Sequence, residues 1–78
     1  MQEIRFPKFG MSTVEVEVVD VHVVLGGRVD VGSPVVDVET DKLLTTVESE
    51  IRGIVTEIRV EIGGEYQVGD VVCLVVED

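Results

Sequence analysis

Apolar and polar positions alternate along much of this chain with the period of a strand that buries one face and wets the other. Val14, Val16 and Val18 alternate with Glu15 and Glu17, which predicts a half-buried strand. The alternation slips at Val18-Val19, after which Val21, Val23 and Leu25 form the apolar set and Asp20 and His22 take the polar side. A bulge or a new strand is expected there. Ahead of it, Glu3 to Phe6 reads as a short first strand and Pro7-Lys8-Phe9-Gly10-Met11-Ser12 as a surface loop broken by Pro and Gly. Further on, Val35, Val36 and Val38 run into Glu39-Thr40-Asp41-Lys42, and Leu43, Leu44, Thr45, Thr46 and Val47 run out again. Two β-prone segments meeting at a short polar corner predict a hairpin, because Asp favours turns by accepting backbone N–H groups. Lys42 is then expected at the tip, facing water.

The pattern repeats. Asp20-Val21-His22-Val23, Leu25-Gly26-Gly27, Val31-Gly32 and Val35 recur as Glu57-Ile58-Arg59-Val60, Ile62-Gly63-Gly64, Val68-Gly69 and Val72, 37 residues later throughout. A period of nearly half the chain does not suggest a solenoid, which needs at least three units; it suggests two interlocked copies closing one core. The repeat also assigns faces. Val36 corresponds to Cys73 and Val38 to Val75, while Asp37 and Glu39 take the opposite parity. Cys73 is therefore read as a small buried hydrophobe, with nothing cationic beside it to stabilise a thiolate. His22 is read as a solvated strand residue. The counterpart of Lys42 would fall one place beyond Asp78, so its corner has no second copy. Turn signals at Gly26-Gly27, Gly32-Ser33-Pro34, Asp41-Lys42, Ser49 to Gly53, Gly63-Gly64 and Gly69-Asp70 recur about every ten residues, the spacing of a compact sandwich or barrel of short antiparallel strands.

Composition narrows this further. With 78 residues, residues 1–78 are expected to form one small domain with an economical core. Many Val and Ile, few aromatic residues and no Trp favour an all-β fold. The longest apolar runs are far below the ~20 residues that a membrane helix needs, and no basic-then-apolar leader opens the chain. A net charge of −10, from sixteen acidic against six basic residues, argues against nucleic acid, whose phosphates are neutralised by Lys and Arg. It suits a solvated shell that orients toward basic patches on partners. One cysteine rules out an internal disulfide and suits a reducing compartment. A soluble intracellular protein is expected, cytoplasmic or, in a eukaryote, in the mitochondrial matrix.

Independent catalysis is not expected. One His and one Cys on opposite parities cannot build a nucleophile set, and with no second His to make a zinc site no metal site is expected. Gly26-Gly27 leads into Arg28-Val29 without the helix that a phosphate-cradling loop opens. Acidic pairs are plentiful, but loops this short offer little from which to build a cleft that would raise one carboxyl pKa. What remains is the presented lysine. The chain's other lysine, Lys8, lies between Pro7 and Phe9 without strand-like runs on both sides and reads as a surface residue.

Glu39-Thr40-Asp41-Lys42, with Gly32 ahead and Gly53 behind, resembles the attachment sequence of lipoyl domains in the biotinyl/lipoyl family. The resemblance covers the whole chain. Pro7-Lys8-Phe9-Gly10-Met11 is similar to the family's opening loop, Gly26-Gly27-Arg28-Val29 to its glycine turn, Ser49 to Val55 to the segment after the modified hairpin, and Val68-Gly69-Asp70-Val71-Val72 to its last turn and strand. It implies a flattened barrel of two antiparallel sheets related by a quasi-twofold axis, in agreement with the repeat. It also implies that Lys42 carries lipoic acid in amide linkage, flanked by Asp41 and Glu39 in the turn. Lipoate-protein ligase or lipoyl synthase would install the group. The arm would serve a thiamine-dependent 2-oxo acid decarboxylase, the acyltransferase core and a flavin-containing dihydrolipoyl dehydrogenase. Phe9 to Thr13, near the modified hairpin in the family, is a second expected partner surface. Two residues depart from the family pattern: Leu43 is bulkier than the usual small residue after the lysine, and Val16 stands where glycine is common.

The expected function is thus a swinging-arm carrier domain of a 2-oxo acid dehydrogenase acyltransferase, monomeric in isolation. It is either excised from a longer chain or free-standing, since the chain ends directly after its last strand. The alternatives are a biotinyl carrier, whose lysine is usually flanked by methionines where this chain has Asp41 and Leu43, and a structural β-sandwich adaptor.

Overall fold

The valine alternation becomes strand over most of its described length, stopping at Val21 short of Val23 and Leu25, and two further strands appear where the pattern is too short to read. The computed structural model describes residues 1–8, 15–41 and 43–77. Among the described residues there are eight strands: β1 (Gln2–Arg5), β2 (Glu15–Val21), β3 (Arg28–Val29), β4 (Pro34–Glu39), β5 (Leu44–Glu48), β6 (Gly53–Ile58), β7 (Glu65–Gln67) and β8 (Val71–Glu77). They form two four-stranded sheets, in the orders β1-β8-β6-β3 and β5-β4-β2-β7, and every pairing is antiparallel. The expected all-β architecture of two antiparallel sheets is what the chain adopts.

The repeat is visible in the topology. Moving β2, β3 and β4 along by 37 residues lands them on β6, β7 and β8, and the order β5-β4-β2-β7 then maps onto β1-β8-β6-β3. Each half keeps its second and fourth strands together in one sheet and lends its third strand, β3 or β7, to the other. The lending is secured by matched bonds. Gly26 N–H donates to Val55 O at 2.8 Å and Val55 N–H to Gly27 O at 2.9 Å; 37 residues on, Gly63 N–H donates to Val18 O at 2.7 Å, and Val18 N–H to Gly64 O at 2.9 Å. Gly26 and Gly63 reach these partners with φ of 82° and 87°, in the left-handed region where a side chain is strained.

The slip at Val18-Val19 is a bulge. Val18 pairs with Val38 and Asp20 with Asp37, leaving Val19 unpaired, and Thr56 is left out in the same way between Val55 and Glu57. Two boundaries differ from expectation. The first strand is Gln2–Arg5, and Phe6 leaves the ladder while its N–H still bonds Asp70 O at 3.1 Å. Leu25 is not on an apolar strand face: it is 68 % exposed, because β2 ends at Val21 and the chain crosses to the other sheet.

The core lies between the sheets. Val18, Val36, Val38, Cys73 and Val75 are fully buried, as the parity assignment requires; Val35 and Val72, on the opposite parity, are also fully buried, at irregularities where the ladders to β5 and β1 skip them. Phe6, Val16, Val29 and Val55 complete the layer. Burial pushes the Cys73 thiol up to about 11, so it stays protonated and unreactive near neutrality. Val16 is buried in β2 opposite Tyr66. Its mate 37 residues on is Gly53, and here glycine is required: a Cβ would run into Val76 O and lie 2.7 Å from Val75 Cγ1.

Val23 and Val60 are buried at 8 % and 9 % exposure in equivalent places. Val23→Ala and Val60→Ala are expected to cost roughly 1–3 kcal/mol each, and similar amounts, in urea melts; a loss near zero in either would break the equivalence. Gly53→Ala should cost about 1–3 kcal/mol by overpacking against the β8 backbone, which the same melts measure.

Candidate functional site

Among the described residues, consecutive strands lie in different sheets, save for β4 and β5, the one consecutive pair that are also neighbours in a sheet. Their register runs Asp37 opposite Thr46, Val38 opposite Thr45 and Glu39 opposite Leu44. Beyond Glu39 the turn is closed by Thr40, whose N–H donates to Leu43 O at 2.8 Å and whose hydroxyl lies 3.4 Å from the same oxygen. Thr40 is buried although polar, and this double contact explains how it is accommodated. The hairpin is therefore anchored at its base by a backbone ladder and at its neck by one residue.

The candidate residues fall as follows. Glu39 is the last residue of β4 and is exposed; Asp41 is exposed in the turn; Lys42 lies outside the described residues, as do Phe9 to Thr13. Leu43 and Leu44, at 39 % and 66 %, put apolar surface beside the turn. Lys8 is exposed and falls in no strand.

The sheet brings to this hairpin residues that the linear sequence does not point to. Glu17 in β2 lies opposite Glu39 on one side and opposite Glu65 in β7 on the other. Glu65, Glu17 and Glu39 thus stand in one row across three strands, and with Glu15 and Asp41 they line a shallow groove next to the turn. Like charges directly opposite one another on a sheet destabilise it, so this row costs stability. The strand register was the missing signal, since Glu65 belongs to a three-residue strand with no period of its own.

Comparison with known proteins now adds to this geometry. The chain is 32 % identical over 73 residues to the lipoamide acyltransferase component of the branched-chain alpha-keto acid dehydrogenase complex of Bacillus subtilis, an alignment covering 94 % of this chain and 17 % of that protein. It is 31 % identical over 77 residues to the dihydrolipoyllysine-residue succinyltransferase component of the 2-oxoglutarate dehydrogenase complex of Staphylococcus saprophyticus, covering 99 % and 18 %. It is 29 % identical over 72 residues to the dihydrolipoyllysine-residue acetyltransferase component of the pyruvate dehydrogenase complex of Corynebacterium glutamicum, covering 92 % and 11 %. The chain thus spans less than a fifth of the length of these relatives. Its fold matches the solution structure of the lipoyl domain of the 2-oxoglutarate dehydrogenase complex from Azotobacter vinelandii, with a TM-score of 0.76, 28 % identity, and 99 % and 98 % of the two chains covered. Residues 2–75 match the biotin–lipoyl family model, described as "Biotin-requiring enzyme", and with that match the chain belongs to the biotin–lipoyl family.

Proposed function

We propose that this chain is a lipoyl carrier domain, modified on Lys42, that moves acyl groups and electrons within a 2-oxo acid dehydrogenase complex. The observation that carries the reading is the β4–β5 hairpin: where the other consecutive strands among the described residues lie in different sheets, one turn stays in its own sheet, is pinned by Thr40, and contains a lysine in its sequence. The three named relatives serve three different 2-oxo acids at nearly equal identity, so the reading is stated for the class.

The residues present suit the group. An amide needs only the amine of Lys42, whose acyl donor is activated by the modifying enzyme, and no perturbed side chain is required of the domain. Attachment removes the lysine's positive charge, leaving Glu39, Asp41 and the row of Glu17 and Glu65 as an unbalanced acidic surround. Basic groups on the decarboxylase, the acyltransferase core or the dehydrogenase are suited to read it, since complementary charge speeds encounter. When attached, the dithiolane supplies the acyl-carrying and redox chemistry; the domain supplies a rigid mount. Tethering in a larger assembly would raise its local concentration at each active site to the order of mM.

Incubation with lipoate-protein ligase, ATP and lipoate should give one lipoyl mass increment by mass spectrometry, and none in Lys42→Ala. No increment on the wild-type chain, or an undiminished one in the variant, would sink the proposal. A parallel reaction with biotin ligase should leave the mass unchanged; efficient biotinylation would favour the biotin carrier. Glu17→Gln relieves two like-charge contacts and is expected to stabilise the fold by about 0.2–1 kcal/mol at low salt, while slowing reductive acylation of the lipoylated domain by a decarboxylase. Unchanged kinetics would remove Glu17 from the partner surface.

A further inference from the structure

On the outer face of the β5-β4-β2-β7 sheet, the bulge at Val19 sets Asp20 directly opposite Asp37. Two carboxylates facing one another across a ladder are unfavourable unless a cation lies between them. His22, just beyond β2, turns its Nε2 to within 3.0 Å of Asp37 Oδ2. One ligand-type atom from each of Asp20, His22 and Asp37 lies within 4.8 Å of the others. We propose that these three side chains form a site for a borderline divalent cation of the zinc class, bound through one imidazole nitrogen and two carboxylate oxygens.

Three observations carry this. The first is spacing: tetrahedral ligands about 2.1 Å from an ion are about 3.4 Å apart, within the 4.8 Å that spans the three ligand-type atoms, and an ion would replace the present His22 to Asp37 contact of 3.0 Å. The second is orientation. Thr46 Oγ1 donates to Asp37 Oδ1 at 2.7 Å and Val21 N–H to Asp20 Oδ1 at 2.9 Å, so each carboxylate is held by one oxygen; such supports fix the direction of metal ligands.

The third comes from the repeat. The residues 37 places on from Asp20, His22 and Asp37 are Glu57, Arg59 and Leu74. There Arg59 Nε bonds Glu57 and is held more firmly protonated by it. That copy has one fewer carboxylate and its own fixed cation. The first copy has a second carboxylate and, in the arginine's place, a histidine, which can offer the lone pair that a guanidinium lacks. The site sits in the same sheet as the hairpin, with Asp37 three residues before Thr40 in the chain, roughly 10 Å along an extended strand.

The test uses the folded chain and zinc chloride in a non-chelating buffer at pH 7.5. His22 is the one histidine in the sequence, so its ring signals in NMR report the site without ambiguity. Zinc should shift them saturably with a stoichiometry of one, and Asp37→Asn and Asp20→Asn should each weaken binding at least ten-fold. His22→Gln should abolish binding measured by calorimetry while its melting curve stays close to the wild type's. Lys42→Ala should leave zinc binding unchanged, which separates this proposal from the carrier reading. Absence of a saturable shift up to millimolar zinc would overturn it. So would an affinity untouched by both Asp variants, which would mean an isolated imidazole, or equal binding of calcium that survives His22→Gln, which would mean an acidic surface only.

Discussion

The structure depends on an exchange of strands. Among the described residues, β3 is paired only with β6 and β7 only with β2, so neither half of the chain can complete its own sheet. The backbone bonds that hold the lent strands run from Gly26 and Gly27 to Val55 and from Gly63 and Gly64 to Val18, and Val18 and Val55 are themselves core residues. The same residues therefore close the sheets at their edges and fill the space between them. Such contacts span long stretches of sequence, so the entropy of closing the loops precedes the burial that offsets it. A short chain with small side chains can still hold together because the buried valines of both halves form one core cluster.

That exchange explains what the sequence disclosed. The offset of 37 residues, the inward parity of Val36, Val38, Cys73 and Val75, and the slip at Val18-Val19 are local patterns, and each corresponds to a feature of the fold. β3 and β7 are two and three residues long, too short to show a period; they become strands because the other half provides an edge. The relation of β1 to β5 was also hidden. Phe6 and Ser49 make equivalent backbone bonds, with Gly69 and Asp70 and with Gly32 and Ser33 respectively, yet stand 43 residues apart in place of 37. The connection from β1 to β2 is nine residues long and that from β5 to β6 is four, which breaks the register of the repeat.

The hairpin was legible as a turn between two valine-rich runs, and the structure gives it a pinned neck and a definite register. Its electrostatic surroundings were not. Glu17 meets Glu39 and Glu65 only through the pairing of β2 with β4 on one side and with β7 on the other. His22 belongs to the same lesson: its polar parity was readable, but its partner Asp37 is fifteen residues away and is brought near by the ladder. In both cases parity tells which side of the sheet a residue faces, and register tells what it meets there.

The pairing of β1 with β8 occupies the place that the β4–β5 hairpin occupies in the other sheet. Gln2 lies opposite Val75 and Ile4 opposite Cys73, antiparallel and side by side. A tension applied between these two strands at that end would open their ladder like a zip, one rung after another, whereas at the hairpin a covalent turn bears the same load. The molecule is thus mechanically lopsided despite its internal symmetry: the turn between β4 and β5 is closed to peeling, and the matching end of the β1–β8 ladder is held by its rungs alone.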